Sequence, residues 1–191
     1  MTGTSRFLRI LTGVLLLPAS IDSLDHNVRS ELQRHHDPRL QPVMQAATDL
    51  GRKDVLFGLL LGVAVLDPAA GPATARLALS SLVVTNVAVE GLKRAVDRPR
   101  PVGPHQRSNA SFPSGHAASA FALAVIFARR WKRWAIGFWL LAATVAFSRL
   151  YLDRHYLSDV LVAAVIGVFC AILLTRWPPT SSWRFGRRIQ S

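Results

Sequence analysis

The sequence predicts an all-α protein: a six-helix transmembrane bundle, with short amphipathic interfacial helices between the first two spans. Three observations predict it. Half of the 191 residues are hydrophobic, and they gather in runs separated by short charged segments. Two of those runs, Val55–Leu66 and Val160–Leu174, carry no polar side chain. A helix apolar all round belongs in a central core or against lipid, and a single domain of this length, 1–191 by the usual prior, cannot bury several of them. Finally, Trp131, Trp134, Trp177 and Trp183 stand at run ends, where an aromatic belt places them.

Taken in order, the chain opens with Arg6 and Arg9, followed by the uncharged run Ile10–Ile21. A charged start and a short apolar core also describe a signal peptide. Pro18-Ala19-Ser20 is a poor small-x-small cleavage site, so a retained first span is expected. In 22–53, Leu24, Val28 and Leu32 recur every four residues; beyond Asp37-Pro38, Leu40, Val43, Met44 and Ala47 repeat a helical spacing. These are the two interfacial helices. The further runs Val55–Leu66, Leu77–Val89, Ala117–Ala128, Trp134–Phe147 and Val160–Leu174 are each shorter than a spanning helix needs. Snorkelling Arg and Lys at their flanks lengthen them.

Charge excludes one class. A net charge of +12 invites a nucleic-acid reading. Here the basic residues form short clusters between apolar runs, so no nucleic-acid partner is expected; the bilayer is. The single Cys170 lies inside an apolar run, which excludes a disulfide framework and a Cys metal cluster. His35 and His36 lack acidic or Cys partners at ligand spacing and read as a solvated face, so no metal site is expected. Lys and Arg divide almost evenly between the two sides of a six-span bundle. The Arg129-Arg130-Trp131-Lys132-Arg133 turn and the basic tail are typical inside signals. They place both termini in the cytoplasm and the 93–159 motifs on the exterior, periplasmic face of the inner membrane.

Three blocks carry chemistry. Phe112-Pro113-Ser114-Gly115-His116 opens an apolar run. Pro113 suits a first helical position, and Ser114 and Gly115 then lie where free N–H groups favour an anion. His116 gives or takes a proton near neutral pH. By themselves these residues read equally well as an ordinary helix start. Upstream stands Lys93-x6-Arg100-Pro101; downstream stands Ser148-Arg149-x5-His155-x3-Asp159. His155 and Asp159, four apart, are expected on one face of a helical turn, a base beside its orienter.

The order and spacing of the three blocks resemble the signature of the type-2 phosphatidic acid phosphatase family, whose superfamily includes bacterial acid phosphatases and vanadium haloperoxidases. The signature covers 93–159. The resemblance implies a membrane-bound lipid phosphatase without a cofactor. In it His155 attacks phosphorus and becomes phosphorylated, Asp159 orients it, and His116 protonates the leaving oxygen and then activates water. Lys93, Arg100 and Arg149 would neutralise the phosphoryl oxygens, with Ser114 and the Gly115 amide completing the cradle. The implied substrate is a membrane lipid: an isoprenyl diphosphate, phosphatidic acid or phosphatidylglycerophosphate. Arg94, Arg98 and Arg154 read as spare cations for a second phosphate or head group, which favours the diphosphate. Glu90 reads as a helix-surface partner of Lys93, and His105 as an exposed residue of the loop 102–111. Two other classes stay open: a lipid phosphotransferase, and an anion-binding membrane protein without turnover. The sequence leaves the oligomeric state open.

Overall fold

The computed structural model describes residues 21–104 and 109–177. The first apolar run up to residue 20, His105, and the basic tail with Trp183 lie outside the described residues. Every regular element among the described residues is helical. Helix α1 occupies 21–34, and a 3₁₀ turn, Pro38–Leu40, leads to α2 (Gln41–Asp49). There follow α3 (Lys53–Leu66), α4 (Gly71–Val96), α5 (Gly115–Arg130), α6 (Ala135–Tyr151) and α7 (Leu157–Arg176). The five apolar runs after residue 53 fall one to a helix, except that Trp134 ends the 3₁₀ turn Lys132–Trp134. Among the described residues three segments are long and apolar enough to cross a membrane: Gly71–Val96, Lys132–Tyr151 and Leu157–Arg176. Helices α3 and α5 are shorter, at 14 and 16 residues.

Helix α5 is the centre, packed against α4, α6 and α7. Ala117, Ala118, Ala122 and Ile126 are fully buried on it. Small residues let helices approach closely where no hydrophobic drive separates protein from lipid. A Cβ on Gly167 of α7 would lie 2.1 Å from the Ala118 carbonyl oxygen, and one on Gly71 of α4 would lie 2.1 Å from the Val63 oxygen. Helix α3 buries only Leu56 and Leu60; Phe57, Leu61, Val65 and Leu66 point outward. Val83 and Val87 on α4, Ile136 and Leu140 on α6, and Val165 and Phe169 on α7 are likewise exposed. An apolar belt of this extent on a folded chain is a lipid-facing surface.

The helix ends explain where the motifs meet. Asp97 takes a left-handed conformation (φ 46°, ψ 43°) and donates its N–H to Lys93 O, which stops α4. Helix α6 closes with Leu152 N–H on Ser148 O at 3.0 Å. Helices α5 and α7 start side by side, where Ser114 N–H donates to the Asp159 carbonyl at 3.1 Å, and Ser111 N–H, just before α5, donates to Arg98 O, just after α4, at 2.7 Å. At the far end Arg130 pairs with Asp67 at 2.6 Å, tying the α3–α4 turn to the end of α5.

Gly167 is, with Gly71, the most constrained glycine among the described residues. Gly167→Ala should destabilise the detergent-solubilised chain by about 1–3 kcal/mol, the usual cost of overpacking. Gly62→Ala, with no atom within 4 Å of the added Cβ, should leave the thermal midpoint unchanged or slightly raised. Equal midpoints for the two variants would remove this contact from the account of the core.

Candidate active site

All eight residues singled out from the sequence stand at one end of the bundle. Lys93 is on the last turn of α4 and Arg149 on the last turn of α6. Ser114 caps α5, and Gly115 and His116 are its first two residues. Arg100 lies in the connection after α4, His155 in the turn before α7, and Asp159 in the first turn of α7. Ser114, Arg149, His155 and Asp159 are buried, and Lys93, Arg100, Gly115 and His116 are half-buried. Arg149, His155, Arg100 and Lys93 all act electrostatically on His116, so the basic groups converge on it.

Two local expectations need correction. Pro113 does not open α5. It precedes the cap, joined to Phe112 by a cis peptide, and the helix begins at Gly115 after an extended Ser114. The free N–H groups at the helix start are therefore those of Gly115 and its successors. His155 and Asp159 also do not share a helical turn, since His155 precedes the N-cap Tyr156. They meet because Asp159 folds back over the helix start, where its Oδ2 accepts the Tyr156 N–H at 2.9 Å. That same oxygen lies 3.5 Å from His155 Nδ1. The contact is too long for a good hydrogen bond, and Nδ1 has no other partner among the described residues. Asp159 Oδ2 also accepts the Ser111 hydroxyl.

The cations fall into two groups. Arg100 donates from Nε to the Asn109 carbonyl at 3.0 Å. Arg149 donates from Nη1 to the Thr48 hydroxyl at 2.6 Å. Both partners are neutral. Arg98, read from the sequence as spare, is instead bound to Asp25 at 2.9 Å and Asp159 at 2.9 Å. The pattern Arg98-Pro99-Arg100-Pro101 does not reveal which arginine faces the site and which is tied down. Arg94 and Arg154 are exposed, and Arg154 is close enough to act on Arg100.

The segment 21–52 carries the contributions that sequence reasoning missed. Its apolar stripe packs inward only in part: Leu24 is exposed, Val28 and Leu32 are half-buried and Ala47 is buried, while the buried residue of α1 is Asp25. Arg29 forks onto Asp153 at 2.7 and 2.8 Å. Thr48 supports Arg149, and Gly51 lies against His116. A Cβ on Gly51 would fall 3.0 Å from both His116 Cδ2 and Val145 Cγ1. From this point an apolar cavity of about 260 Å³ runs between α3, α5 and α6, from Leu50 and Val145 towards Phe127 and Trp131. Asp25, Thr48 and Gly51 have no motif spacing to the three blocks. Their roles arise from contacts across many tens of residues, which no local sequence pattern announces.

The family model of the PAP2 superfamily matches residues 74–183. A lipid A 4'-phosphatase of Bacteroides thetaiotaomicron is 44% identical over 62 residues, and a lipid A 1-phosphatase of Porphyromonas gingivalis is 37% identical over 62 residues. Each alignment covers 30% of this chain, but only 27% and 14% of the respective relative. The crystal structure of Aquifex aeolicus LpxE superposes with a TM-score of 0.70 at 25% identity, covering 79% of this chain and 94% of that one. A transmembrane PAP2-type phosphatidylglycerolphosphate phosphatase from Bacillus subtilis shares the fold, with a TM-score of 0.76 at 24% identity over 97% of this chain and 98% of that one.

Burial pushes the His155 imidazole from its ordinary 6.5 down to about 4; Arg149 and Arg100 push the same way, and Asp159 opposes them. Between these values the unfolded chain holds a proton that the folded chain does not. Stability therefore rises with pH across the window, and it is lost as pH falls from 6.5 towards 4. The thermal midpoint of the native chain should drop more steeply over that range than that of His155→Gln. Parallel curves would mean that His155 is protonated in the folded protein.

Proposed function

This chain belongs to the PAP2 superfamily, and on that footing we propose that it is an integral-membrane lipid phosphatase working through a phosphohistidine on His155. The observation that carries this reading is a pair of buried donors, Ser114 Oγ and Arg149 Nε, with no hydrogen-bond partner among the described residues. A buried polar group left unpaired costs about 1–3 kcal/mol. Phosphoryl oxygens accept from both, at a helix start that already favours an anion.

In the proposed reaction, Lys93, Arg100 and Arg149 hold the phosphoryl oxygens and spread the transition-state charge, with Ser114 and the Gly115 amide below them. Three cationic side chains then do the work that a metal ion does elsewhere. His155 Nε2 attacks phosphorus, Asp159 holds the proton on Nδ1, and the bond to the lipid oxygen breaks. His116 gives that oxygen its proton. His116 next takes a proton from water, and the resulting hydroxide attacks the phosphohistidine, which frees His155 and inorganic phosphate.

The apolar cavity that starts at Leu50 and Val145 supports a lipid substrate, because one chain of an ester held at the motif end has an apolar path between α3, α5 and α6. Isoprenyl diphosphate, phosphatidic acid, phosphatidylglycerophosphate and a lipid A phosphate all fit that description. The preference for a diphosphate weakens, since Arg98 is committed to carboxylates, while Arg154 remains close enough to act on Arg100. We place six spans in the whole chain, which forms one domain, with α1 and α2 on the interface, both termini cytoplasmic and the site periplasmic.

Phosphate release from a lipid phosphate by the purified chain should survive EDTA and be blocked by orthovanadate, which accepts an axial His ligand. His155→Ala should abolish it. His116→Ala should slow phosphatidic acid hydrolysis by about 10²–10⁴-fold, the worth of a general acid. With p-nitrophenyl phosphate, whose leaving group needs no proton, the same variant should give a burst and then slow turnover. Strict magnesium dependence without vanadate inhibition would overturn the mechanism, and a burst from His155→Ala alone would reverse the two roles.

Topology has its own test. A reporter fused after Ser191 should be cytoplasmic, and one inserted near Gln106 should be periplasmic. Finding both on one side would overturn the six-span count.

A further inference from the structure

Arg98 is the most heavily engaged cation in the described chain, and the family-like spacing of Lys93 and Arg100 gives it no role. Its Nη1 donates to Asp159 Oδ1 at 2.9 Å and to Ser158 Oγ at 2.8 Å. Its Nη2 donates to Asp25 Oδ2 at 2.9 Å and reaches Asp22 Oδ1 at 3.4 Å. The guanidinium carbon sits 4.1 Å over the Tyr156 ring. Both faces of its fork are thus filled by carboxylates, and it cannot turn to a substrate without breaking them.

We propose that Arg98 is a positioning residue for the nucleophile and that Asp25, on α1, is its counter-charge. This rests on the reading of His155 as the attacking group. A carboxylate has two oxygens and about four acceptor sites. On Asp159, Oδ2 takes the Tyr156 N–H and the Ser111 hydroxyl and faces His155. Arg98 holds the other oxygen, which fixes the plane of the carboxylate and stops the two oxygens from exchanging.

Asp25 supplies the second requirement. A cation paired with Asp159 alone would quench the charge that His155 needs when it becomes cationic on attack. Asp25 is 1% exposed and takes the other half of the fork. It also accepts the Ser158 N–H at 2.8 Å, together with the Ser158 hydroxyl, and so grips the start of α7 directly. The result is a chain of alternating charge, Asp25, Arg98, Asp159, His155, that begins on the N-terminal segment and ends on the nucleophile. Docking of α1 and orientation of His155 are then one event.

The test uses the full detergent-solubilised chain. Arg98→Gln should lower kcat for a lipid phosphate about 10- to 100-fold, the usual cost of losing a group that orients a reactive one, with KM within about twofold. Asp25→Asn should move kcat the same way. Because both act through Asp159, adding either to Asp159→Asn should cause no further loss, whereas independent effects multiply. The second readout needs no turnover. ¹⁵N NMR of the His155 ring should show the Nδ1–H tautomer in the native chain and a mixture in Arg98→Gln and Asp25→Asn.

A raised KM at unchanged kcat would make Arg98 a substrate contact and overturn the proposal, as would multiplying losses or an unchanged tautomer. If Arg98→Gln does not fold, Asp25→Asn, which keeps the shape of the side chain, is read by the same criteria. A native chain that orients His155 through Arg98 yet releases no phosphate would overturn the phosphatase reading and leave the positioning intact.

Discussion

The approach of α5 to α7 is the constraint on which the motif end depends. Gly167 admits the Ala118 carbonyl where any side chain would collide with it. At the start of the same helix, the Ser114 N–H bonds to the Asp159 carbonyl. These contacts fix α5 against α7 both in separation and along their axes. His116, on the first turn of one helix, and Asp159, on the first turn of the other, are therefore placed by packed helices and not by a loop. Groups carried on rigid elements hold a geometry more closely than groups on loops. His155 is the exception, being in a turn, and its position depends on the hydrogen bonds that Asp159 makes with its neighbours.

Much of this was legible in the sequence for a simple reason. Apolar runs without polar side chains fix helices, and alternating helices bring every second connection to the same end. Lys93, Arg149, Ser114 and Asp159 sit within a turn of helix ends, so an up-and-down bundle had to gather them. Asp25 was illegible because it is one of three acids in an amphipathic helix, with Asp22 and Glu31, and looks as solvated as they do. Only the fold shows that it faces Arg98 and Ser158. Arg98 and Arg100 are two residues apart and each precedes a proline; only the fold shows that Arg98, directly after the αL stop at Asp97, is the one bound to carboxylates. The amphipathic pattern of 21–34 located a helix correctly and was silent on which charged residues it buries.

The site separates two uses of positive charge. Arg98 is balanced by Asp25 and Asp159 and contributes little net field. Arg100 and Arg149 rest on neutral oxygens, those of Asn109 and Thr48. Arg149 is 7% exposed, and a buried cation with a neutral partner is held at a cost in desolvation. Such a cost is tolerated where an anion offsets it in the working state, and electrostatic interactions are strong where water is excluded. The neutral oxygens orient these arginines without consuming their charge. Carboxylates in the same places would have built a more stable protein and a poorer phosphate site.

The two solvents of the chain bear on the substrate. Phe57, Leu61, Val87, Val165 and Phe169 form an outward apolar belt along the helices, while the cations stand where the helices end. A free phosphate ester needs only the cations and gains nothing from the belt. On the proposed function an amphiphile meets both, with its head group among Lys93, Arg100 and Arg149 and its tail at belt depth. The cavity from Leu50 and Val145 towards Phe127 and Trp131 joins those two levels inside the bundle. A site for a soluble ester has no use for such a path. Its upper end is lined by Leu50 and by Val145, the side chain that also lies against Gly51. On this geometry the depth of the lipid in the bilayer, set by its tail, also sets the height of its phosphate against His155.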